Sequence, residues 1–497
     1  MKSIPLFLLL APGLAAQQPP PPHWAFSQDQ VHEIKLTFSQ PDWWEQLTRN
    51  FEDNDDDVPY IQADIEWGPY KMANVGARFK GNSSYNGATT KKKPFRIKLN
   101  EFVKGQKIGG MASFNLSNGW NDPSLIRETV YYNIAGWAGF TGPRSNFAAL
   151  TINGQYWGLY VLGEIVNGDF LTHHFGIGND KGNLYKADIG ANLTDLGDDP
   201  APYKRVFEKQ SNEDADDWSD LINLVAVLNR TPIEQLPEKI EPILDIDSIL
   251  SGIALDNLTV NLDSYIGQLA QNYHLYRRPS DNRFVWILWD PSLAFGAFGG
   301  GGGQSAAGSP ASLSVLYSAA QQPGQGGQLP PGGQPPTPPG GGQPPTPPGG
   351  GQPPTNPGGQ PGGFGGGGGR PLFTRLMEIP KYKERYGQIY RWLATEFLTT
   401  GEVTTRMKVL HDMIRPWVAR DTQKLSTMEQ FEKALSEDQT LNARPGGTPG
   451  APGGGGLGAV SPGLQPFFRD RLESVRQQLA IQPDGTWGST SAAPPVP

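Results

Sequence analysis

A long stretch rich in Gly, Pro and Gln divides the chain and limits the folds that it can adopt. It covers residues 299–369, and the sequence QPPTPPGGG begins at Gln334 and again at Gln343. Such a segment holds too few apolar side chains to offset the conformational entropy that ordering would cost, so it is predicted to be a disordered insert. Because a long loop costs little more closure entropy than a short one, the chain on either side is predicted to form one domain.

The N-terminal residues have the layout of a secretory signal peptide. Lys2 precedes a short apolar run, and small residues follow that run up to Ala16. The run is too short to cross a membrane, and no later stretch reaches ~18 consecutive apolar residues. The mature protein is therefore expected to be exported, without a transmembrane segment, to the periplasm, the cell surface or the medium. The predicted boundaries are a signal peptide (1–16), a Pro-rich spacer (17–30), the first part of the domain (31–298), the insert (299–369), a helical second part of the same domain (370–480) and a flexible tail (481–497).

Charge and cysteine content exclude several classes of function. The 497 residues include 41 Lys and Arg against 49 Asp and Glu, which gives a net charge of −8. Proteins that wrap nucleic acid are usually basic, so no nucleic-acid partner is expected. The chain has no cysteine, and this excludes disulfides, zinc-thiolate sites, iron–sulfur clusters and cysteine nucleophiles.

Local patterns predict an α+β fold in which antiparallel sheet regions come first and helices dominate after the insert. Asn153–Gly154 lies between two β-rich runs, which is typical of a tight hairpin turn. Asp122 followed by Pro123 is typical of the start of a helix. The predicted strands are Val31–Phe38, Val75–Lys80 and Phe95–Leu99, and the predicted hairpins pair Phe147–Ile152 with Tyr156–Glu164 and Tyr273–Tyr276 with Phe284–Trp289. The predicted helices are Pro41–Arg49, Pro123–Trp137, Asp217–Leu228, Ser248–Leu262, 371–398, 403–421, Met428–Leu435 and Pro466–Leu479.

A series of short motifs resembles the spore-coat protein H (CotH) kinase family. In chain order they are VGARFKGNSS, KKPFRIKLN, NDPSLIRETV, INGQYWGLYVLGEIV, GNLYKAD, NLDSY, NYHLY and WDPSLAFG, with PLFTRLMEIPKYKERY after the insert. The resemblance covers roughly residues 30–298 and 370–480. It implies an atypical protein-kinase-like fold and transfer of phosphate from ATP to Ser or Thr of a protein acceptor, with Mg²⁺ or Mn²⁺ as the metal.

The resemblance implies a lysine that binds the nucleotide phosphates. Lys80, in RFKGNSS, is the first candidate, Lys98 and Lys186 compete with it, and Arg78 is a further candidate for phosphate binding. By the same resemblance Glu164, at the end of the apolar strand YVLGE, is predicted to pair with the phosphate lysine. The alternative for Glu164 is a salt bridge at the strand end, since an unpaired buried charge is costly.

Three polar residues are candidates for the remaining roles in phosphoryl transfer. Asp263, in NLDSY, is predicted to accept the proton of the acceptor hydroxyl, and Asn272 to offer an amide oxygen to Mg²⁺. Asp290 follows the apolar strand FVWILW, where a metal-binding carboxylate is expected. The common form of the family is WD-x-D-x-x-FG, whereas this chain has Ser292 at the second Asp, which puts catalysis but not the fold in question.

Two other functions are compatible with the same sequence. A surface scaffold or adhesin without catalysis would retain the fold, and the Pro/Gly-rich insert would suit capture of a surface or wall partner. An enzyme that acts on cell-wall polymer has only the many aromatic residues in its favour. Mg²⁺-dependent nucleotide binding separates the kinase from the scaffold, and release of soluble sugar identifies the wall enzyme.

Overall fold

The computed structural model describes residues 24–54, 57–298, 309–318, 369–441 and 460–479. The strands are β1 (His32–Thr37), β2 (Ile61–Trp67), β3 (Tyr70–Phe79), β4 (Phe95–Lys98), β5 (Ser113–Ser117), β6 (Ser145–Ile152), β7 (Gln155–Glu164), β8 (Leu184–Ala187), β9 (Phe207–Lys209), β10 (Tyr273–Arg277), β11 (Phe284–Leu288), β12 (Gln439–Thr440) and β13 (Val460–Ser461). The helices are α1 (Trp43–Glu52), α2 (Ser83–Asn86), α3 (Arg127–Trp137), α4 (Gly168–Phe175), α5 (Pro200–Tyr203), α6 (Ser219–Arg230), α7 (Leu236–Ile240), α8 (Ile246–Leu258), α9 (Pro371–Met377), α10 (Pro380–Ala394), α11 (Glu402–Arg420), α12 (Met428–Lys433) and α13 (Leu464–Leu479).

Seven strands form a closed barrel in the order β1-β2-β3-β4-β5-β7-β6. The parallel pairing of β1 with β6 closes the barrel, and the other neighbours are antiparallel. Apolar side chains alternate along the strands and fill the interior, as at Phe79, Phe95 and Phe114, which are fully buried. The polar side chains between them point away from this interior, because successive residues of a strand face opposite sides.

A second, four-stranded antiparallel sheet has the order β11-β10-β8-β9. Helix α8 packs on β11 and on α10, and α11 packs on β7 and α3, so helices that follow the insert contact both the second sheet's layer and the barrel. A large apolar cluster joins these helices to α3 and to the second sheet. The mixed α/β architecture is confirmed, while the protein-kinase-like fold stays a prediction.

The local turn and strand predictions are confirmed at the hairpins. Asn153 and Gly154 both have positive φ (47° and 79°), as a tight hairpin between β6 and β7 requires. The second predicted hairpin is the β10–β11 pair. In the described part of the chain, no helix combines the length and apolar character needed to span a membrane. The predicted signal peptide, the spacer up to residue 23 and the tail lie outside the described residues.

Several boundaries differ from the prediction. The predicted helix 371–398 is divided into α9 and α10, because Ile379, which precedes Pro380, is extended. Helix α3 starts at Arg127 rather than Pro123, because the Asp122 carboxylate accepts the backbone N–H groups of Ser124 and Arg127 and holds a turn before the helix. Helix α8 ends at Leu258 rather than Leu262. The chain from there to β10 is a loop, and it carries two of the predicted site residues.

A further difference lies within the predicted insert. Residues 309–318 are packed on the helices, with Ala311 and Ser318 buried, because this short piece contains apolar residues that the Gly/Pro repeats lack. The carbonyl of Val315 accepts a hydrogen bond from the Tyr386 hydroxyl at 2.8 Å. The rest of the predicted insert, 299–308 and 319–368, lies outside the described residues.

Candidate functional site

Lys80 lies directly after β3, on the outer side of the barrel. Its neighbour Phe79 points into the barrel core, so the strand alternation turns Lys80 outward, where it is half-buried. Burial lowers the pKa of Lys80, and the nearby charges of Asp290 and Glu128 act in the opposite direction. Within the described part of the chain, no carboxylate oxygen lies within 4.0 Å of its ammonium. The ammonium therefore stands close to two acids without being held by either.

The charge of Asp290 affects several titratable groups near Lys80. It follows β11 in a left-handed backbone conformation (φ 45°), which an Asp adopts more readily than most residues. Its N–H donates to the Tyr132 hydroxyl at 3.1 Å, and the Ser292 hydroxyl donates to its Oδ1 at 2.8 Å. The groups whose pKa values respond to the charge of Asp290 are Lys80, Glu128, Tyr132 and Asp263.

Asp263 and Asn272 lie in the loop between α8 and β10. The Gln271 side chain donates to Oδ1 of Asp263 at 2.6 Å, and the Asn272 Nδ2 donates to the Asp263 carbonyl at 2.7 Å. Burial, and next the charge of Asp290, raise the pKa of Asp263 to about 7. A carboxylate with this pKa suits proton transfer near neutral pH.

Glu128 also belongs to the site, although the sequence motifs did not suggest a role for it. It lies in the first turn of α3, half-buried, and a Cβ added at Gly163 on β7 would come within 3.3 Å of its Oε1. Burial first, and then the charge of Asp290, raise the pKa of Glu128 to about 7, against the lowering influence of Lys80. Glu128 lies within the motif NDPSLIRETV. An acid in the first turn of a helix commonly does no more than stabilise the helix dipole, so its position did not indicate a role at the site.

Glu164 does not pair with Lys80, which corrects the prediction from the resemblance. Its carboxylate is buried and binds the Arg144 guanidinium with two contacts, Nε–Oε2 at 3.0 Å and Nη2–Oε1 at 2.6 Å. His174 lies 3.6 Å from Oε2. Burial alone would raise the pKa of Glu164, but its contacts with His174 and Arg144 outweigh burial and lower the pKa to about 2. The strand-end salt bridge is therefore the role that the structure supports.

The competing cations are occupied by other partners. Lys98 lies 2.6 Å from Glu101, and its side chain is 44% exposed. Lys186 bonds to Asp188 at 2.9 Å and to Glu208 at 3.1 Å, although its charge still reaches Lys80. The guanidinium of Arg78 donates to the Val58 carbonyl at 2.8 Å. Lys80 is thus the candidate lysine best placed to bind a ligand.

Arg96 is a cation near Lys80 that was not among the candidates from the sequence. It lies on β4 opposite Arg78, is half-buried, and donates to the Asn115 side chain at 3.3 Å. Its charge lowers the pKa values of Lys80 and His274, so Arg96 lies near the candidate lysine. The available signal was strand alternation, because Arg96 shares its face of β4 with the predicted Lys98.

The donor set fits a hard cation. Asp290 offers carboxylate oxygen, and the Asn272 amide donates through Nδ2, so that its Oδ1 is the atom able to face a metal. Among the described residues, no three His, Cys, Asp or Glu side chains form a metal-holding group. Mg²⁺ is commonly bound by one or two carboxylates together with phosphate oxygens. The residues present therefore suit a cation that arrives with a phosphate ligand.

Comparisons with known proteins agree with the motifs. The sequence model of the family described as "CotH kinase protein" matches residues 77–441. The chain is also similar to "Inner spore coat protein H" of Bacillus subtilis (strain 168), with 25% identity over 270 residues. That alignment covers 54% of this chain and 67% of the relative.

Proposed function

Because this chain belongs to the CotH kinase family, we propose that it is a protein kinase that transfers the γ-phosphate of ATP to a Ser or Thr hydroxyl of a protein acceptor. One observation carries the proposal: the charge of Asp290 acts on Lys80, Glu128 and Asp263, which brings a cation and three carboxyl groups into one neighbourhood. Phosphoryl transfer is catalysed mainly by positioning and electrostatic stabilisation, and it needs a cation and carboxylates arranged in this way.

Lys80 binds the phosphates in this proposal. Its ammonium lies near Asp290 and Glu128 without a direct ion pair in the described part of the chain, so it can donate to phosphate oxygens. Glu128 takes the orienting role first assigned to Glu164. Arg96 adds a second positive charge on the adjacent strand, which favours an anionic ligand.

Asp290 and Asn272 hold the metal in this proposal. A bound Mg²⁺ would neutralise negative charge on the β- and γ-phosphates. Ser292 donates its hydroxyl to one oxygen of Asp290 and so orients the carboxylate, with the other oxygen left to face the ligand. A hydroxyl thus stands where the common family pattern has a second carboxylate.

Asp263 prepares the acceptor hydroxyl. The acceptor oxygen forms a bond to the γ-phosphorus as the bond from that phosphorus to the β–γ bridging oxygen breaks, and ADP leaves with the bridging oxygen. The hydroxyl proton moves to the Asp263 carboxylate. The Gln271 side chain donates a hydrogen bond to Oδ1 of Asp263 and keeps the carboxylate in place.

The test is transfer of labelled γ-phosphate by the purified mature protein, with Mg²⁺ or Mn²⁺, to itself or to a Ser-rich protein. We expect Asp290→Asn to lower the rate about 10³-fold, the size typical of losing one electrostatic stabiliser. Asp412→Asn, an exposed acid on α11 paired with Lys408, is the matched control and should retain the rate. Absence of label with both metals, together with no nucleotide-induced thermal shift, would refute the kinase and favour the surface scaffold.

We also propose that the protein works outside the cytosol. The layout of residues 1–16 supports this, and the name of the Bacillus relative describes that protein as part of a spore coat. Mass spectrometry of the mature N-terminus in cell fractions tests the proposal. A cytosolic protein that retains Met1 would contradict it.

A further inference from the structure

We propose that Arg370 is a positioning residue that holds the loop between α8 and β10 in the conformation needed for phosphoryl transfer. The proposal rests on the proposed function, since that loop carries Asp263 and Asn272. Arg370 lies more than 90 residues away in the chain, just before α9, and is fully buried. It touches neither proposed substrate and acts only through the loop.

The guanidinium of Arg370 binds the backbone of the loop at three points. Its Nε donates to the Tyr265 carbonyl at 2.6 Å, and its Nη2 donates to the carbonyls of Gly267 and, at 3.1 Å, Gln268. Tyr265 and Gly267 are buried, so their carbonyls need hydrogen-bond partners, and in the described part of the chain no strand pairs with residues 265–268. A planar fork with several fixed donors meets that need better than a lysine ammonium does.

The loop requires such support because its backbone is strained. Val260, Ala270 and Asn272 have φ values of 50°, 48° and 60°. The left-handed region is unfavourable for residues with a Cβ, and especially for a β-branched one such as Val260. Strained conformations persist only where the surroundings enforce them, and they cluster at functional sites.

The other side of Arg370 is fixed to α9. Its carbonyl accepts the N–H and the hydroxyl of Thr374, at 2.8 Å and 3.0 Å. The N–H of Leu372 donates to the Tyr265 hydroxyl at 3.1 Å, so a second bond joins helix and loop. Helix α9 therefore acts as the rigid base from which Arg370 reaches the loop.

Arg471 on α13 offers a matched control. It is also fully buried and also donates to carbonyls, those of Leu258 and Ala311 at 3.1 Å and that of Asn257 at 3.0 Å. These carbonyls lie at the end of α8 and in the packed segment 309–318, outside the loop. A Lys substitution at either arginine removes a buried carbonyl-binding fork, but only one of them supports Asp263.

The experiment compares Arg370→Lys with Arg471→Lys in two measurements. Hydrogen exchange of the amides in 264–272 should be at least 10-fold faster in Arg370→Lys and unchanged in Arg471→Lys. In the transfer assay, Arg370→Lys should lower kcat about 30-fold, because Asp263 loses its position. KM for ATP should change less than kcat, because Lys80 and Asp290 lie outside the loop and only Asn272 of the proposed ATP and metal site lies within it. Arg471→Lys should keep both constants within twofold.

The two proposals fail in different ways. If the wild-type protein transfers no phosphate, the kinase is refuted, and the exchange measurement still decides whether Arg370 holds the loop. If Arg370→Lys transfers phosphate at the wild-type kcat, or if the loop amides exchange at the wild-type rate, the positioning role is refuted. Should Arg370→Lys fail to fold, Tyr265→Phe removes the hydrogen bond from Leu372 and the one to the Asn192 carbonyl. It should give a smaller acceleration of exchange in the same amides, and unchanged exchange would overturn the proposal.

Discussion

Two lysines on the barrel, twelve residues apart, show how differently the fold uses the same side chain. Lys92 is fully buried and lies 2.6 Å from Asp421, which is also fully buried and follows α11. Lys80 is half-buried near Asp290 and Glu128, and no carboxylate of the described residues lies within 4.0 Å of it. Lys92 is enclosed in a buried ion pair, whereas Lys80 is partly exposed and can meet a ligand. Ion pairing, rather than residue type, separates a structural lysine from a candidate binding lysine.

The largest effects are expected when each of the two lysines is replaced by methionine. Lys92→Met leaves Asp421 buried without its cation, so we expect a loss of about 3–5 kcal/mol in the free energy of unfolding. Lys80→Met should cost far less stability and should lower phosphate transfer at least 10²-fold. Urea unfolding and the transfer assay measure both. Equal stability losses for the two variants would contradict the comparison.

The two glutamates extend the same contrast to the acids. Glu164 is locked to Arg144, and its pKa of about 2 means that it stabilises the fold above its ordinary pKa of 4.5 and loses this effect as the pH falls through 2. Glu164→Gln should therefore destabilise the protein by about 3 kcal/mol at pH 7 and by less at pH 3.

Glu128→Gln should act on the site instead. We expect a roughly tenfold lower transfer rate and a smaller change in stability, because Glu128 interacts electrostatically with Lys80 and no cation of the described residues lies within 4.0 Å of it. Nucleotide-induced thermal shifts of both variants provide the control. A greater loss of nucleotide binding in Glu164→Gln than in Glu128→Gln would restore the prediction from the resemblance.

The pKa of about 7 at Asp263 predicts a pH dependence with a definite sign. Activity needs the deprotonated carboxylate, so kcat/KM should rise about tenfold per pH unit below pH 7 and level off above it. Stability should move the other way. The native state holds this proton more tightly than the unfolded chain, so the contribution of Asp263 is greatest below pH 3.8 and declines as the pH rises through 7.

Asp263→Asn separates these effects. It should remove part of the decline in unfolding free energy between pH 4 and pH 7, and Glu128, whose pKa is raised to a similar value, should account for another part. Unfolding by urea at several pH values is the measurement. An unaltered pH dependence in Asp263→Asn would show that this carboxyl is not protonated near neutral pH.

The smallest effect is expected at Ser292. Its hydroxyl donates to Oδ1 of Asp290, and loss of a bond worth about 1 kcal/mol corresponds to roughly fivefold in kcat/KM for Ser292→Ala. Ser292→Asp restores the common family pattern and should lower the Mg²⁺ concentration that gives half-maximal activity. A wild-type rate in Ser292→Ala would mean that the hydroxyl does not orient Asp290.

Features encoded over a few neighbouring residues could be predicted from the sequence. The turn at Asn153–Gly154, the β10–β11 hairpin and the position of Asp290 after an apolar strand depend on local conformational preferences. The start of α3 was predicted too early, since the side chain of Asp122 makes a local turn that competes with the helix. The packed segment 309–318 was missed, because the composition of the whole insert concealed its few apolar residues.

The partners of each charge depended on packing between distant parts of the chain. Glu128 and Glu164 both lie in motifs of the family. The packing of α3 against the barrel brings Glu128 under the influence of Lys80, whereas Glu164 pairs with Arg144. The roles proposed for Lys80 and Arg370 depend on the groups that surround them in the folded protein: two acids near Lys80 and the loop carbonyls at Arg370. Strand alternation, turns and motif order were thus determined by the sequence itself, through short-range sterics and hydrophobic periodicity. The tertiary structure alone decided which charges are paired and which remain available, because electrostatic partners are set by distance in space and by burial rather than by separation along the chain.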